Sequence, residues 1–165
     1  MTDLLLTRSA SISSCGRYRY WLERVWDDRP TLTFVMLNPS TADAEVDDPT
    51  IRRCIGFGRR EGAGGIVVVN LFALRATYPA ELLTDDARFY DPDNFEAGVR
   101  VMHDAIDGKS KLVCAWGANK LALAEGRDFV SRAVGVRCFC LGKTKEGFPR
   151  HPLYVSANQP LEPYP

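Results

Sequence analysis

The chain has no excess of charge and none of the long apolar runs that mark membrane proteins. Its 21 basic residues balance 21 acidic ones, which argues against bulk electrostatic binding of nucleic acid but allows a local basic patch. No apolar run approaches the roughly 20 residues that span a bilayer. Asp3 and the short run Leu4-Leu5-Leu6 do not form a signal peptide. We therefore expect a cytoplasmic protein with no membrane partner.

Several catalytic and cofactor-binding motifs are also absent. There is no Gly-x-Ser-x-Gly elbow, so Ser40 is a poor candidate nucleophile. No Gly-x-Gly-x-x-Gly follows a strand, and there is no Walker loop, which argues against dinucleotide and triphosphate sites. The five cysteines form no Cys-x-x-Cys pair, and reduced core thiols are favoured over a metal or disulfide framework. We predict neither a cofactor nor a bound metal.

Four apolar runs alternate with helical patterns along the chain. The runs 32–37, 66–72, 112–116 and 136–141 predict strands, the first two apolar on both faces. Alternating strands and helices predict an α/β fold, with a parallel sheet covered on both sides. Residues 4–26 predict an additional N-terminal antiparallel hairpin. We expect one domain over residues 1–165, with its core at about 17–154.

Two polar segments each allow two interpretations. In the hairpin, Arg17 and Arg19 share one face and Tyr18 and Tyr20 the other. This is either a nucleic-acid surface or, as we favour, tyrosines packed on the domain with arginines in water. Residues 43–48 carry four acids and no base, which either bind a cation or, as we favour, lead into a helix that Asp48 caps.

Polar residues follow the predicted parallel strands at their carboxyl ends. Asn38 and Asn70 end the first two strands, Trp116-Gly117 ends the third, and His151 lies in the loop after the fourth. Ligands of open α/β sheets bind at this edge. An amide matches the mixed hydrogen-bonding edge of a nucleobase, and a histidine can donate to a developing anion. Each residue alone also has a structural explanation, but their convergence predicts a site for a nucleobase-containing ligand.

These residues carry a resemblance to known families. The segments MLNPSTADAEVDDPTIRRC, VVVNLFALRAT, WGA and RHPLY resemble the bacterial family of unknown function numbered 1643, from about Arg17 to Tyr154. More distantly, the order of the motifs is similar to that of the uracil-DNA glycosylase superfamily. Met36-Leu37-Asn38-Pro39-Ser40 lies over its first motif, and His151-Pro152-Leu153 lies over its last.

The superfamily resemblance implies both an architecture and site roles. The architecture is a three-layer sandwich with a four-stranded parallel sheet ordered 2-1-3-4. Asn38 would place the attacking water and His151 would stabilise the departing base. The remaining implied contacts are substrate-binding residues (Asn70, Pro39, Ser40, Phe72 and Gly117) and a strand-binding rim (Lys143, Lys145 and Arg150).

The chain departs from the superfamily pattern at three places. Ser40 and Leu153 replace small Gly and Ser residues. Thr50-Ile51 stands where a base-stacking aromatic is usual, with Phe57 or Phe72 as substitutes. The acidic segment 43–48 would repel phosphates beside the pocket.

Three functions are therefore open. The first is an N-glycosidic hydrolase, without metal or covalent intermediate, acting on a nucleobase in DNA, as in DNA repair, or in a nucleoside or nucleotide. The second is a non-catalytic module that binds a nucleobase, a nucleotide or nucleic acid. The third is a protein-interaction domain that uses the aromatic hairpin Tyr18–Trp26.

Overall fold

The computed structural model describes residues 7–84, 86 and 90–165. In these residues the α/β class predicted from the sequence is confirmed. The strands are β1 (Thr7–Ile12), β2 (Arg19–Val25), β3 (Thr31–Met36), β4 (Gly65–Asn70), β5 (Ser110–Cys114), β6 (Cys138–Cys140) and β7 (Glu162–Tyr164). The helices are α1 (Pro49–Arg60), α2 (Pro92–Ile106) and α3 (Ala122–Arg132), with short 3₁₀ helices at Pro79–Leu83 and Pro152–Tyr154.

All seven strands belong to one mixed sheet in the order β1-β2-β4-β3-β5-β6-β7. The central neighbours β4, β3, β5 and β6 run parallel to one another. At one side β2 pairs antiparallel with β4 and β1 with β2, and at the other side β7 pairs antiparallel with β6. Strand β7 was not predicted, because three residues that include Pro163 give little local signal and proline is tolerated only at a sheet edge.

The central strands divide their side chains between two apolar clusters. Along β4, Ile66 and Val68 pack with α1, whereas Val67 and Val69 pack with α2 and α3 residues on the opposite face. This alternation is the period of two of a strand covered on both faces. Asn70 continues the Ile66 and Val68 series at the carboxyl end of β4.

Helix α1 begins where the sequence predicted. The Asp48 carboxylate accepts from Ile51 N–H at 2.9 Å, and Pro49 takes the first helical position. Both features suit a helix start, because Pro has no N–H to leave unsatisfied there and the cap satisfies another free donor. Gly58 lets α1 approach the sheet, since a Cβ there would lie 2.7 Å from Ile66 Cγ2.

The N-terminal hairpin forms, but one prediction about its arginines is wrong. Tyr18 and Tyr20 pack against the core, as expected. Arg19 was expected in water, yet it is 2% exposed. The reason is that β2 is an interior strand between β1 and β4 and not an exposed edge. Residues 4–6 of the predicted hairpin, and with them Leu4-Leu5-Leu6, lie outside the described residues.

Most of the cysteines are buried thiols. Within the described part of the chain, Cys54, Cys114, Cys138 and Cys140 are buried and Cys15 is exposed, and all five are free thiols. Burial raises the pKa of Cys140 to about 11, which suits an unreactive core thiol.

None of the helices in residues 7–84, 86 and 90–165 has the length and hydropathy to cross a bilayer.

Candidate functional site

A cavity of about 870 Å³ lies at the carboxyl ends of the four parallel strands. We call it the edge cavity. Its wall is built from segments that follow β3, β4, β5 and β6, together with the start of α1. Of the residues predicted from the sequence, it brings together Asn38, Asn70, His151, Ser40, Gly117 and Arg150.

Four predicted site residues do not line the edge cavity. Pro39 is buried beneath it, and its carbonyl accepts from Ala76 N–H at 2.9 Å. Phe72 belongs to the apolar cluster on the α2 and α3 side and lines a second cavity of about 470 Å³. Lys143 and Lys145 are exposed on the turn 143–149 and are not lining residues, although Thr144 between them is. Pro39 and Phe72 therefore lie outside the lining of this cavity, and the strand-binding rim of Lys143, Lys145 and Arg150 stays a prediction.

Asn38 is held by the main chain around it. Its amide nitrogen donates to the carbonyl of Pro39 at 3.0 Å and to that of Ala76 at 2.9 Å. These bonds use both N–H donors of the amide and so fix its plane. What remains is the side-chain oxygen, an acceptor on a residue of the cavity wall. Asn38 can accordingly accept a hydrogen bond from a water or a ligand, but it has no donor left to offer.

Asn70 is an unsatisfied buried amide. Its side chain is 6% exposed, and neither its amide nitrogen nor its amide oxygen has a hydrogen-bond partner in the described residues. A buried polar group without a partner costs about 1–3 kcal/mol. Natural structures rarely tolerate such a group without a purpose. No bond holds the amide in place, so a rotation of the side chain can present both its donor and its acceptor to the edge cavity.

His151 is held as a neutral hydrogen-bond donor. Its Nδ1 accepts from Leu153 N–H at 3.2 Å, which leaves the proton of the neutral ring on Nε2. Burial lowers the pKa of His151 to about 4, against a smaller opposing effect of the Asp48 charge. The ring is therefore uncharged at neutral pH, and no described residue accepts from Nε2.

Two neighbouring segments fix the position of His151. The Arg53 guanidinium of α1 donates to the carbonyls of Pro152 and Val155, which ties the short 3₁₀ helix to α1. Gly117 has a positive φ of 80° and donates its N–H to Pro149 at 2.9 Å. A Cβ at Gly117 would lie 3.4 Å from His151 Cβ. A larger residue at Gly117 would be strained and would crowd the histidine.

Sequence reasoning missed a buried cation in the cavity wall. Arg19 lines the edge cavity, as does Asp48, the cap of α1. Burial lowers the pKa of Arg19 to about 10, while Asp48 acts in the opposite direction. The position of Arg19 depends on the strand that pairs with β2, which no local pattern reveals.

The acidic segment 43–48 is part of the structural framework. The Asp43 carboxylate accepts from the N–H groups of Glu45 and Val46 at 2.8 Å, and the Asp47 carboxylate accepts from Arg24 Nε at 2.9 Å. Four arginines donate to successive main-chain carbonyls of residues 40–45, namely Arg75, Arg19, Arg24 and Arg8. Among the described residues no group of three or more acids, histidines or cysteines is arranged to hold a metal ion. The carboxylates therefore serve the loop and the helix cap.

An exposed aromatic lies at the mouth of the edge cavity. Tyr154 is 80% exposed and lines the cavity, with its ring centroid 5.4 Å from that of His151. The substitutes considered for a stacking aromatic do not reach this place, because Phe57 is a buried residue of α1 that packs against the sheet and Phe72 belongs to the cluster on the other face. Tyr154 directly follows the predicted motif His151-Pro152-Leu153, and this adjacency was the feature of the sequence that could have identified it as a site residue.

Comparison with known proteins gives a family without an assigned activity. No curated protein matches the chain. A family model described as a protein of unknown function, DUF1643, matches residues 19–153. The match covers most of the chain and includes Asn38, Asn70 and His151. The chain therefore belongs to the DUF1643 family.

Proposed function

We propose that the protein is a uracil-DNA glycosylase-like hydrolase of N-glycosidic bonds, with the edge cavity as its active site. The observation that carries the proposal is the unsatisfied Asn70 amide, buried in the wall of the cavity that His151 and Asn38 also line. The parallel order β4-β3-β5-β6 supports the proposal, because it is the 2-1-3-4 order of that superfamily's sandwich. The site lies at the strand edge where such sheets bind ligands.

The roles follow from the hydrogen-bonding capacity that each residue has left. Asn70 turns its free donor and acceptor to the edge of the base. Asn38 accepts from the attacking water through its only unused group, the amide oxygen. His151 donates from Nε2 to the base as negative charge builds on it, a type of contact worth about 10²–10³ in rate. A neutral donor suits this role, since it keeps its proton in the ground state.

The volume of the edge cavity suits one small ligand. Ligand cavities in proteins usually have volumes of about 300–1,000 Å³, and this one has about 870 Å³. Exposed Tyr154 at its mouth is placed to stack on a ring. A base in duplex DNA would first have to be flipped out of the helix.

The test is release of free base from a panel of substrates. Oligonucleotides with modified or mispaired bases, together with free nucleosides and nucleotides, are incubated with excess protein, and liberated base is measured by mass spectrometry. We expect release from at least one substrate and loss of it in His151→Asn. Asparagine at 151 can still accept from Leu153 N–H but lacks the Nε2 donor.

The chain contains its own matched control. His103, the other of the two histidines, is exposed on α2, so His103→Asn should leave base release unchanged. No base release from any substrate with excess protein would contradict the proposal.

A second candidate function is a non-catalytic nucleobase-binding module. The specific observation in its favour is that Asn38 spends both amide protons on the main chain, a use that a purely structural residue would also make. In that case an unmodified ligand protects the protein against heat, and the protection is lost in Asn70→Ala. Trp21, which an interaction domain built on the hairpin would present to a partner, is buried at 8% exposure, and this disfavours that function.

A further inference from the structure

Two arginines are buried in the described residues, and one of them, Arg19, lacks the partners that the other has. Arg19 is 2% exposed and makes a single side-chain hydrogen bond, from Nη1 to the carbonyl of Ala42 at 2.9 Å. Its Nε is buried without a partner, and no described residue accepts from Nη2. Among the residues described, no carboxylate lies within 4.0 Å of its guanidinium nitrogens.

Arg24 of the same strand shows what a satisfied arginine looks like. It is fully buried, yet its guanidinium contacts the Asp47 carboxylate at 2.9 Å and donates to three main-chain carbonyls. An uncompensated buried charge is strongly destabilising. The contrast indicates that the counter-charge of Arg19 is supplied by something that enters the cavity.

The charges around Arg19 leave the cavity positive. The lining contains Arg19 and Arg150 against one carboxylate, Asp48, which is a surplus of one positive charge. His151 is neutral, and Asp48 has one oxygen engaged by Ile51 N–H. The first residues of α1, Pro49 and Thr50, also line the cavity, so the positive end of the helix contributes with the same sign.

We propose that the edge cavity binds a free nucleoside phosphate, with its phosphate held by the Arg19 guanidinium and its base beside Asn70. The assignment of the nucleoside rests on the proposed function, whereas the assignment of the phosphate rests on Arg19 alone. Arginine suits the role because its planar fork pairs with two oxygens of a phosphate.

A free nucleotide is favoured over a nucleic-acid strand. Arg19 is 2% exposed and lines the edge cavity, whereas exposed Lys143 and Lys145 are not lining residues. The acidic residues 43–48 would repel further phosphates of a strand. A single phosphate on a ligand that is enclosed by the cavity avoids both obstacles.

The test compares binding of the common nucleoside monophosphates, the matching nucleosides and a single-stranded oligonucleotide without terminal phosphates. Binding is measured by calorimetry, without reading base release. We expect at least one monophosphate to bind about tenfold or more tightly than its nucleoside. Arg19→Met should abolish that ratio, and Arg19→Lys should retain part of it as a point charge.

Arg75→Met is the matched control. Arg75 donates to the carbonyls of Ser40 and Thr41 in the same loop but does not line the edge cavity. This variant should therefore keep the preference for the monophosphate. Equal loss in Arg75→Met would assign the effect to the loop and overturn the role of Arg19.

Wild-type protein provides a measurement that does not depend on a folded variant. Inorganic phosphate should compete with the monophosphate and leave nucleoside binding unchanged. Equal affinity for nucleoside and nucleotide, no binding of any monophosphate, or tighter binding of the oligonucleotide would each overturn this inference. Nucleotide binding through Arg19 without base release from any substrate would instead contradict only the hydrolase.

Discussion

Replacing Asn70 by leucine should make the free protein more stable and remove its ligand site. The amide is buried and neither of its polar atoms has a partner. Leucine has a similar shape, removes the unsatisfied donor and acceptor, and continues the apolar face that Ile66 and Val68 begin. Leaving one such group unpaired costs about 1–3 kcal/mol. We therefore expect Asn70→Leu to raise the free energy of unfolding by about that amount.

The assay is equilibrium unfolding in urea together with a thermal scan. For a chain of this size, 1 kcal/mol shifts Tm by about 2–4 °C, so a rise of several degrees is expected. Ligand-dependent protection should disappear in the same variant. A gain in stability combined with loss of binding is the signature of a residue kept for function at the expense of stability.

Asn94 is the matched amide. It lies on α2 close to Asn70, and its oxygen is also buried without a partner in the described residues, but its nitrogen donates to the carbonyls of Asn70 and Leu71 at 3.1 and 3.3 Å. Asn94→Leu should accordingly destabilise the protein by about 1–3 kcal/mol. If Asn70→Leu destabilised the protein to the same degree, the Asn70 amide would be satisfied in solution, and the argument for a ligand at this position would fail.

Three further predictions concern His151, Arg24 and Gly126. In the folded wild-type protein the pKa of His151, about 4, lies below the usual 6.5, so the free energy of unfolding falls by up to about 3 kcal/mol as pH drops from 6.5 to 4. His151→Asn should remove this contribution. Urea unfolding at several pH values should show this slope only in wild type. Arg24→Met should lower the free energy of unfolding by about 3 kcal/mol or more, because the Asp47 carboxylate and three carbonyls lose their buried donor. A change below about 1 kcal/mol would show that these bonds contribute little to stability. Gly126→Ala should lower the free energy of unfolding by about 1–3 kcal/mol, since its Cβ would lie 2.9 Å from Trp116 Cε2 and displace that ring of the cavity wall. Unchanged Tm and ligand affinity would show that the ring moves without cost.

Much of the fold follows from local signals. Strands β3 and β4 are recognisable because they are apolar on both faces, which is typical of a covered parallel sheet. Helix α1 is recognisable from Asp48 as cap and Pro49 as first residue. Once four strands are parallel, geometry places their carboxyl ends on one edge, so Asn38, Asn70 and His151 could be grouped without coordinates.

Other features depend on which elements become neighbours. Arg19 looks like an exposed hairpin residue in the sequence, and only the pairing of β2 with β4 places it in the wall of a cavity. Phe72 lies two residues past β4, and whether it faces the cavity depends on the turn of the chain that follows the strand. Local sequence specifies the period and ends of an element, because those depend on nearby backbone and side-chain chemistry. Burial, missing partners and the sign of charge in a cavity arise from residues far apart in the chain, and so only the tertiary structure determines them.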